Sequence, residues 1–242
     1  NYCMTGCVDG NIPAETRSQV VTFFIIAQAF DIFMHNGFCR YTQEKVGIET
    51  GDVRDFKTFE EFKSAFFRQM RHLMSMASER NNVELLAERE LFPDPFRSAL
   101  MKDGVKTGKD LLNRKFSFEN ASLLGAVGGV NTGDSLAAVN QLIFIDKKYT
   151  MEELLKALDA DWDGYEKMRQ DFIKAPKYGN NLDMPDQLVA EVYKEFADNC
   201  YSLDNSYGGK TTPNAISISA HQPGGSVTGA TPDGRRGGEI LA

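Results

Sequence analysis

"GATPDGRRGGEILA", residues 229–242, has a composition that suits neither a regular helix nor a strand. Pro232-Asp233-Gly234 is a turn signature. Pro presets φ, Asp can hydrogen-bond backbone two residues on, and Gly accepts left-handed backbone. Arg235 and Arg236 follow directly, then the pair Gly237-Gly238. The local reading is a tight turn whose guanidinium groups clamp neighbouring loops or a carboxylate. An ordinary surface turn is the plainer alternative.

The other end is equally odd. "NYCMTGCVDGNIP", residues 1–13, reads as a loop closed by Pro13, and it crowds Cys3, Cys7 and Asp9 together. Structural zinc would need a second ligand pair, and none follows. Cys3 and Cys7 have the first spacing of a radical-SAM cluster loop, but Gly10 stands where a third Cys is required. A Cys–His nucleophile would have to recruit His35, His72 or His221, all distant in the chain. Here His72 reads as a surface or core-edge residue and His35 as a helix-end cap.

Cys7 with Asp9 is the remaining option. Two residues apart on extended backbone, their side chains point to one side. A neighbouring carboxylate disfavours thiolate, so the sulfur stays protonated. That is wrong for an ionic nucleophile and right for a sulfur that gives up and regains a hydrogen atom. A polar turn with a solvated Asp is the bland alternative.

The totals exclude several classes. The 242 residues carry 27 Lys and Arg against 34 Asp and Glu, a net charge of −7. No basic face larger than pairs such as Lys147-Lys148 is present, so nucleic acid is not an expected partner. No apolar run reaches the roughly 20 residues of a bilayer span. The four cysteines are unevenly spaced and no signal peptide is visible, which predicts free thiols in a reducing cytoplasm.

Between the ends, Thr16 to Met34 reads as one buried apolar helix stopped by Asn36-Gly37. Thr58 with Glu61 and Thr150 with Glu153 are capping boxes that open helices. "SLLGAVGGVNTGDSLAAVNQLIF" reads as a Gly-bearing strand, a turn at Asn131 to Gly133, and a helix from near Asp134. "MPDQLVAEVYKEFADNC" is a further amphipathic helix, and the tail holds one alternating, strand-like stretch. The pattern is helix-rich α/β with buried strands at loop-to-helix junctions, in one domain spanning 1–242 or part of one.

Taken together, these stretches resemble the glycyl radical enzymes of the pyruvate formate-lyase-like superfamily. "GCVD" at 6–9 is similar to their G-C-x-E thiyl loop, and the tail is similar to their G-A-[ST]-P-D-G-R-x-x-G-E-P-L-A signature. "TGDVRDFKTFEEF", "GDSLAAVNQLIF", "TMEELLKALDADWDGYE" and "APKYGNN" resemble the dehydratase and decarboxylase branch, in the same order.

The resemblance implies the C-terminal half of a ten-stranded β/α barrel. It would begin at the cysteine loop and end before the glycyl radical loop, a fragment inactive alone. Cys7 is then the thiyl residue and Asp9 the acid/base, in the place of the family's Glu and one methylene shorter. No cofactor or metal is bound. The protein radical sits on a glycine outside these residues, installed by a radical-SAM activase. The expected reaction is radical elimination of water or a related C–O, C–N or C–S cleavage of a small substrate. Arylacetate decarboxylation and a non-catalytic binding relative are the alternatives. A homodimer in the cytoplasm of an anaerobe, or inside a bacterial microcompartment, completes the expectation.

Overall fold

In the computed structural model all residues are described except 1, 2, 6–8, 18, 117, 118 and 216, and residues 3–5, 9 and 10 are described in their backbone only. The chain divides into two compact units. One comprises Asn1–Phe24, Met74–Gly125 and Ala197–Ile216; the other comprises Ile25–Leu73, Ala126–Phe196 and Ser217–Ala242.

The first unit opens with a hairpin where the sequence reads as a loop. Strand β1 (Cys3–Thr5) pairs antiparallel with β2 (Asp9–Asn11), Thr5 opposite Asp9 and Cys3 opposite Asn11. Next comes β3 (Val20–Ile25), which corrects the expectation of a helix from Thr16. The run Val-Val-Thr-Phe-Phe-Ile is β-branched and aromatic throughout, so it suits a pleated surface. Apolar residues on both faces of the run hide the period that would distinguish strand from helix. The helix α1 (Ile26–Met34) starts only after it.

Strand β6 (Ser122–Val127), buried at every position, lies between β3 and β7 (Thr212–Ala215). Phe23 covers Gly125 so closely that a Cβ there would lie 2.9 Å from its ring. Asn81, buried on the long helix α2 (Phe59–Leu91), ties the sheet to the helix. Its amide nitrogen donates to Ser122 Oγ at 3.1 Å, and its oxygen accepts Thr22 Oγ1 at 2.5 Å. Val20, Leu85, Ala121 and Tyr207 form the apolar centre. The short helices α3 (Pro95–Leu100) and α4 (Gly104–Thr107) and a 3-10 turn at Leu111–Asn113 complete the unit.

The second unit is built on phenylalanine. Phe30 and Phe33 of α1 meet Phe62 and Phe66 of α2 at ring-centroid distances of 4.9–6.2 Å, mostly edge-on or tilted. All four rings are essentially inaccessible, each contributing roughly 2 kcal/mol by burial. Short strands β4 (Phe38–Cys39) and β5 (Glu44–Lys45) form a ribbon. Asn36 (φ 49°) and Gly37 (φ 90°) take the left-handed backbone expected after α1.

Helix α5 (Gly129–Val139) begins five residues before Asp134, so Asn131–Gly133 lies inside the helix and not in a turn. Left-handed Gly128 (φ 73°) makes the turn instead. Val189 packs against helical Gly133, leaving no room for a side chain. A π-helical turn, Asn140–Ile145, follows. Helices α6 (Met151–Asp159), α7 (Glu166–Lys174), α8 (Asp183–Ser202) and α9 (His221–Ser226) complete the helical elements described. Both capping boxes form: Glu61 N donates to Thr58 Oγ1 and Glu153 N to Thr150 Oγ1, each at 3.2 Å.

Candidate active site

Cys7 lies outside the described residues, as do its neighbours Gly6 and Val8. What is described is its frame. The ladder that pairs Thr5 with Asp9 leaves residues 6–8 as the connection between β1 and β2. Asp9 is therefore the first residue of β2, two positions beyond Cys7; its side chain is not among those described. The hairpin's exit is fixed by Thr16, whose hydroxyl donates to Asn11 Oδ1 at 2.8 Å and accepts Ile12 N at 3.3 Å.

The remaining cysteines and histidines have other roles. Cys39 and Cys200 are free and buried, and burial pushes the Cys200 thiol up to about 12. His35 binds the Asp31 carbonyl oxygen through Nδ1 at 2.8 Å and Asp159 Oδ1 through Nε2 at 2.9 Å. Burial alone would lower its pKa; the bonded Asp31 carboxylate outweighs it and raises it. This imidazole caps its helix, as expected. His72 is half-buried, and His221 is buried with its pKa lowered by burial. No cluster of three or more metal-ligating side chains exists among the described residues.

The Arg-Gly tail is resolved in full, and its arginine clamps backbone. Arg235, 7% exposed, donates through Nη1 to the Glu239 carbonyl at 2.7 Å and through Nη2 to the Thr228 carbonyl at 3.0 Å and to that of Gly229. Asp233 closes the turn, accepting from Thr231 Oγ1 at 2.6 Å, Arg235 N at 3.2 Å and Asn131 Nδ2 at 2.7 Å. Fully buried Trp162 donates its indole N–H to the Arg235 carbonyl at 3.2 Å. Asn131 Oδ1 then accepts Ala242 N at 2.7 Å. Together with Nε to Thr231 Oγ1 at 3.3 Å, the Arg235 bonds turn the guanidinium to loop closure.

The sequence reading missed two charged residues. Arg17, 1% exposed, is ion-paired to Glu119 at 3.1 Å. The one signal available was a lone arginine just ahead of an apolar run. Asp134 accepts Tyr178 N at 2.7 Å, and its pKa is raised to about 6, chiefly by burial. Nothing local marked it.

A family profile described as pyruvate formate lyase-like matches residues 1–225. The trans-4-hydroxy-L-proline dehydratase of Clostridioides difficile is 30% identical over 96% of this chain and 29% of its own length. The isethionate sulfite-lyase of Desulfovibrio desulfuricans is 30% identical over 100% of this chain and 30% of its own. The glycerol-bound B12-independent glycerol dehydratase of Clostridium butyricum superposes with a TM-score of 0.93 at 31% identity, covering 100% of this chain and 30% of that one. This chain thus spans about 30% of the length of these relatives. Among the described residues no helix is long and apolar enough to cross a membrane. The α/β, helix-rich architecture is that of the matching portion of a glycyl radical enzyme barrel. The chain belongs to the pyruvate formate lyase-like family, whose enzymes carry a protein radical.

Proposed function

We propose that this chain supplies the hydrogen-transfer loop of a glycyl radical lyase that eliminates a leaving group from a small hydroxylated substrate. The observation that carries the proposal is the match of the chain to dehydratases and a sulfite-lyase. Those relatives cleave a carbon–oxygen or carbon–sulfur bond, and the antiparallel pairing of Cys3–Thr5 with Asp9–Asn11, which brackets Cys7 in the chain, supports the reading.

The protein radical supplies the oxidising equivalent when present, by taking the hydrogen atom from the Cys7 thiol. Cys7 sulfur then removes a hydrogen atom from the substrate carbon that bears the hydroxyl group, forming S–H and a carbon radical. Asp9 takes the hydroxyl proton, which turns that carbon into an electron-rich ketyl centre. The adjacent C–X bond breaks, X leaving with its bonding pair, and the oxygen-bearing carbon becomes a carbonyl. Where X is hydroxide, the proton held by Asp9 makes it water. Cys7 returns its hydrogen atom to the product carbon. No electrons are gained or lost overall. The shorter Asp, in place of Glu, brings the base closer to the loop and favours a substrate whose hydroxyl reaches toward it.

In this reading residues 1–242 are part of one barrel domain in a longer protein. That protein is activated by a radical-SAM enzyme and functions as a homodimer in the cytoplasm of an anaerobe. The test is the activated full-length protein against diols, amino alcohols, hydroxysulfonates, hydroxyproline and arylacetates. Turnover of a hydroxylated substrate, lowered at least about 10²-fold by Asp9→Asn, is the expected result. Turnover of arylacetates alone would overturn the elimination chemistry.

A further inference from the structure

The hairpin that carries Cys7 and Asp9 is too small to hold its own position. Its strands have three residues each, and a two-stranded ribbon is at best marginally stable alone. Its described support lies downstream. Besides the Thr16 bonds, Glu15 N donates to the Ile12 carbonyl at 3.0 Å, making residues 12–15 a closed turn. Left-handed Ala14 (φ 61°) offers its carbonyl to Lys102 N at 3.0 Å, and Lys102 Nζ reaches Glu15 Oε1 at 2.8 Å.

Arg17 ends this segment. Its Nε donates to Glu119 Oε2 at 3.1 Å and its Nη2 to Glu119 Oε1 at 3.3 Å, a two-pronged grip. Nη1 donates to the Leu112 carbonyl at 3.4 Å, and Nη2 also donates to that of Arg114. The guanidinium carbon lies 3.4 Å from the centre of the Tyr207 ring and 5.2 Å from that of Phe116. One buried cation thereby joins the hairpin exit to Leu112, Arg114, Phe116, Glu119 and Tyr207. A forked guanidinium fixes direction as well as distance, which a lysine or an apolar side chain does not.

We propose that Arg17 is a positioning residue that sets where the thiol and carboxylate of the hairpin stand. The inference rests on the reading that Cys7 and Asp9 perform the chemistry. Hydrogen-atom transfer demands near contact, and a displacement of about 1 Å costs on the order of 10² in rate. The described partners of the Arg17 guanidinium are Leu112, Arg114, Phe116, Glu119 and Tyr207, so a positioning role predicts that its loss appears in the chemical step.

The experiment uses the activated full-length protein, with Cys7→Ser run beside Arg17→Met, Arg17→Lys and the double variant Arg17→Met/Glu119→Gln. The double variant leaves no unpaired buried carboxylate, so it replaces Arg17→Met if that protein fails to fold. The expected result is a radical signal per chain within about twofold of the parent, KM within about threefold, and kcat lowered on the order of 10²-fold, with partial recovery in Arg17→Lys. A kcat within about threefold of the parent would overturn the positioning role if Cys7→Ser is inactive. So would parallel loss of radical signal, KM and kcat, since that marks general damage. Turnover by Cys7→Ser would instead overturn the proposed chemistry, whatever Arg17 does.

Discussion

Arg235 and Arg17 are both withdrawn from solvent, yet they organise their surroundings in opposite ways. Among the described residues the Arg235 guanidinium bonds within its own tail, to Thr228, Gly229, Thr231 and Glu239. Its acceptors are carbonyls and one hydroxyl, and burial lowers its pKa. Arg17 reaches across roughly a hundred residues of sequence or more to a carboxylate, two carbonyls and two aromatic faces. The first arginine closes a loop upon itself. The second ties a small hairpin to distant segments. A self-contained closure is written in one contiguous motif, whereas a long-range tie is written in residues that nothing in the linear order connects.

Substitution by methionine sharpens this contrast. Arg235→Met orphans buried carbonyls and should destabilise the protein by roughly 3 kcal/mol, read from denaturant midpoints. No second substitution can rescue it, because backbone acceptors cannot be removed. Arg17→Met should also cost about 3 kcal/mol or more, but adding Glu119→Leu should restore the part due to the stranded Glu119 carboxylate, leaving only the loss at the Leu112 and Arg114 carbonyls. Equal rescue at both sites, or at neither, would break the comparison.

A smaller effect separates two carboxylates at one end of α5. Asp233 is bonded by the turn it closes. Asp134 sits partly buried, facing Lys177, Asp233 and Asp186, with its pKa raised to about 6, mainly by burial. The Lys177 ammonium is itself engaged by the Phe172 carbonyl at 2.8 Å, and burial lowers its pKa. The folded protein therefore holds the Asp134 proton more tightly than the unfolded chain does. Its contribution to stability is full below about pH 4 and is lost as pH rises through about 6. Asp134→Asn, whose amide oxygen can still accept Tyr178 N–H, should raise the melting temperature at pH 7.5 by about 2–4 °C and leave it nearly unchanged at pH 4. An equal shift at both pH values would assign the effect to packing instead.

The same distinction explains what the sequence revealed. The tail turn, both capping boxes and the Asn36-Gly37 stop were legible because each is a local pattern with a local cause. Strand β3 was not. Val20–Ile25 is apolar on both faces, and only its place beside β6 makes it a strand. The start of α5 was missed because Asn131 and Gly133 suggest a turn, whereas both lie in a helix, with Val189 packed against Gly133. Of the candidate site, Cys7 and Asp9 are proposed from the sequence alone, because their side chains lie outside those described. The Arg17–Glu119 ion pair needed the fold.

The account stands or falls on the sulfur of Cys7. The decisive measurement is turnover by activated full-length Cys7→Ser protein, with the glycyl radical counted by electron paramagnetic resonance in the same sample. A full radical signal with no detectable product is the predicted result. Product formation at a rate near that of the parent would contradict it.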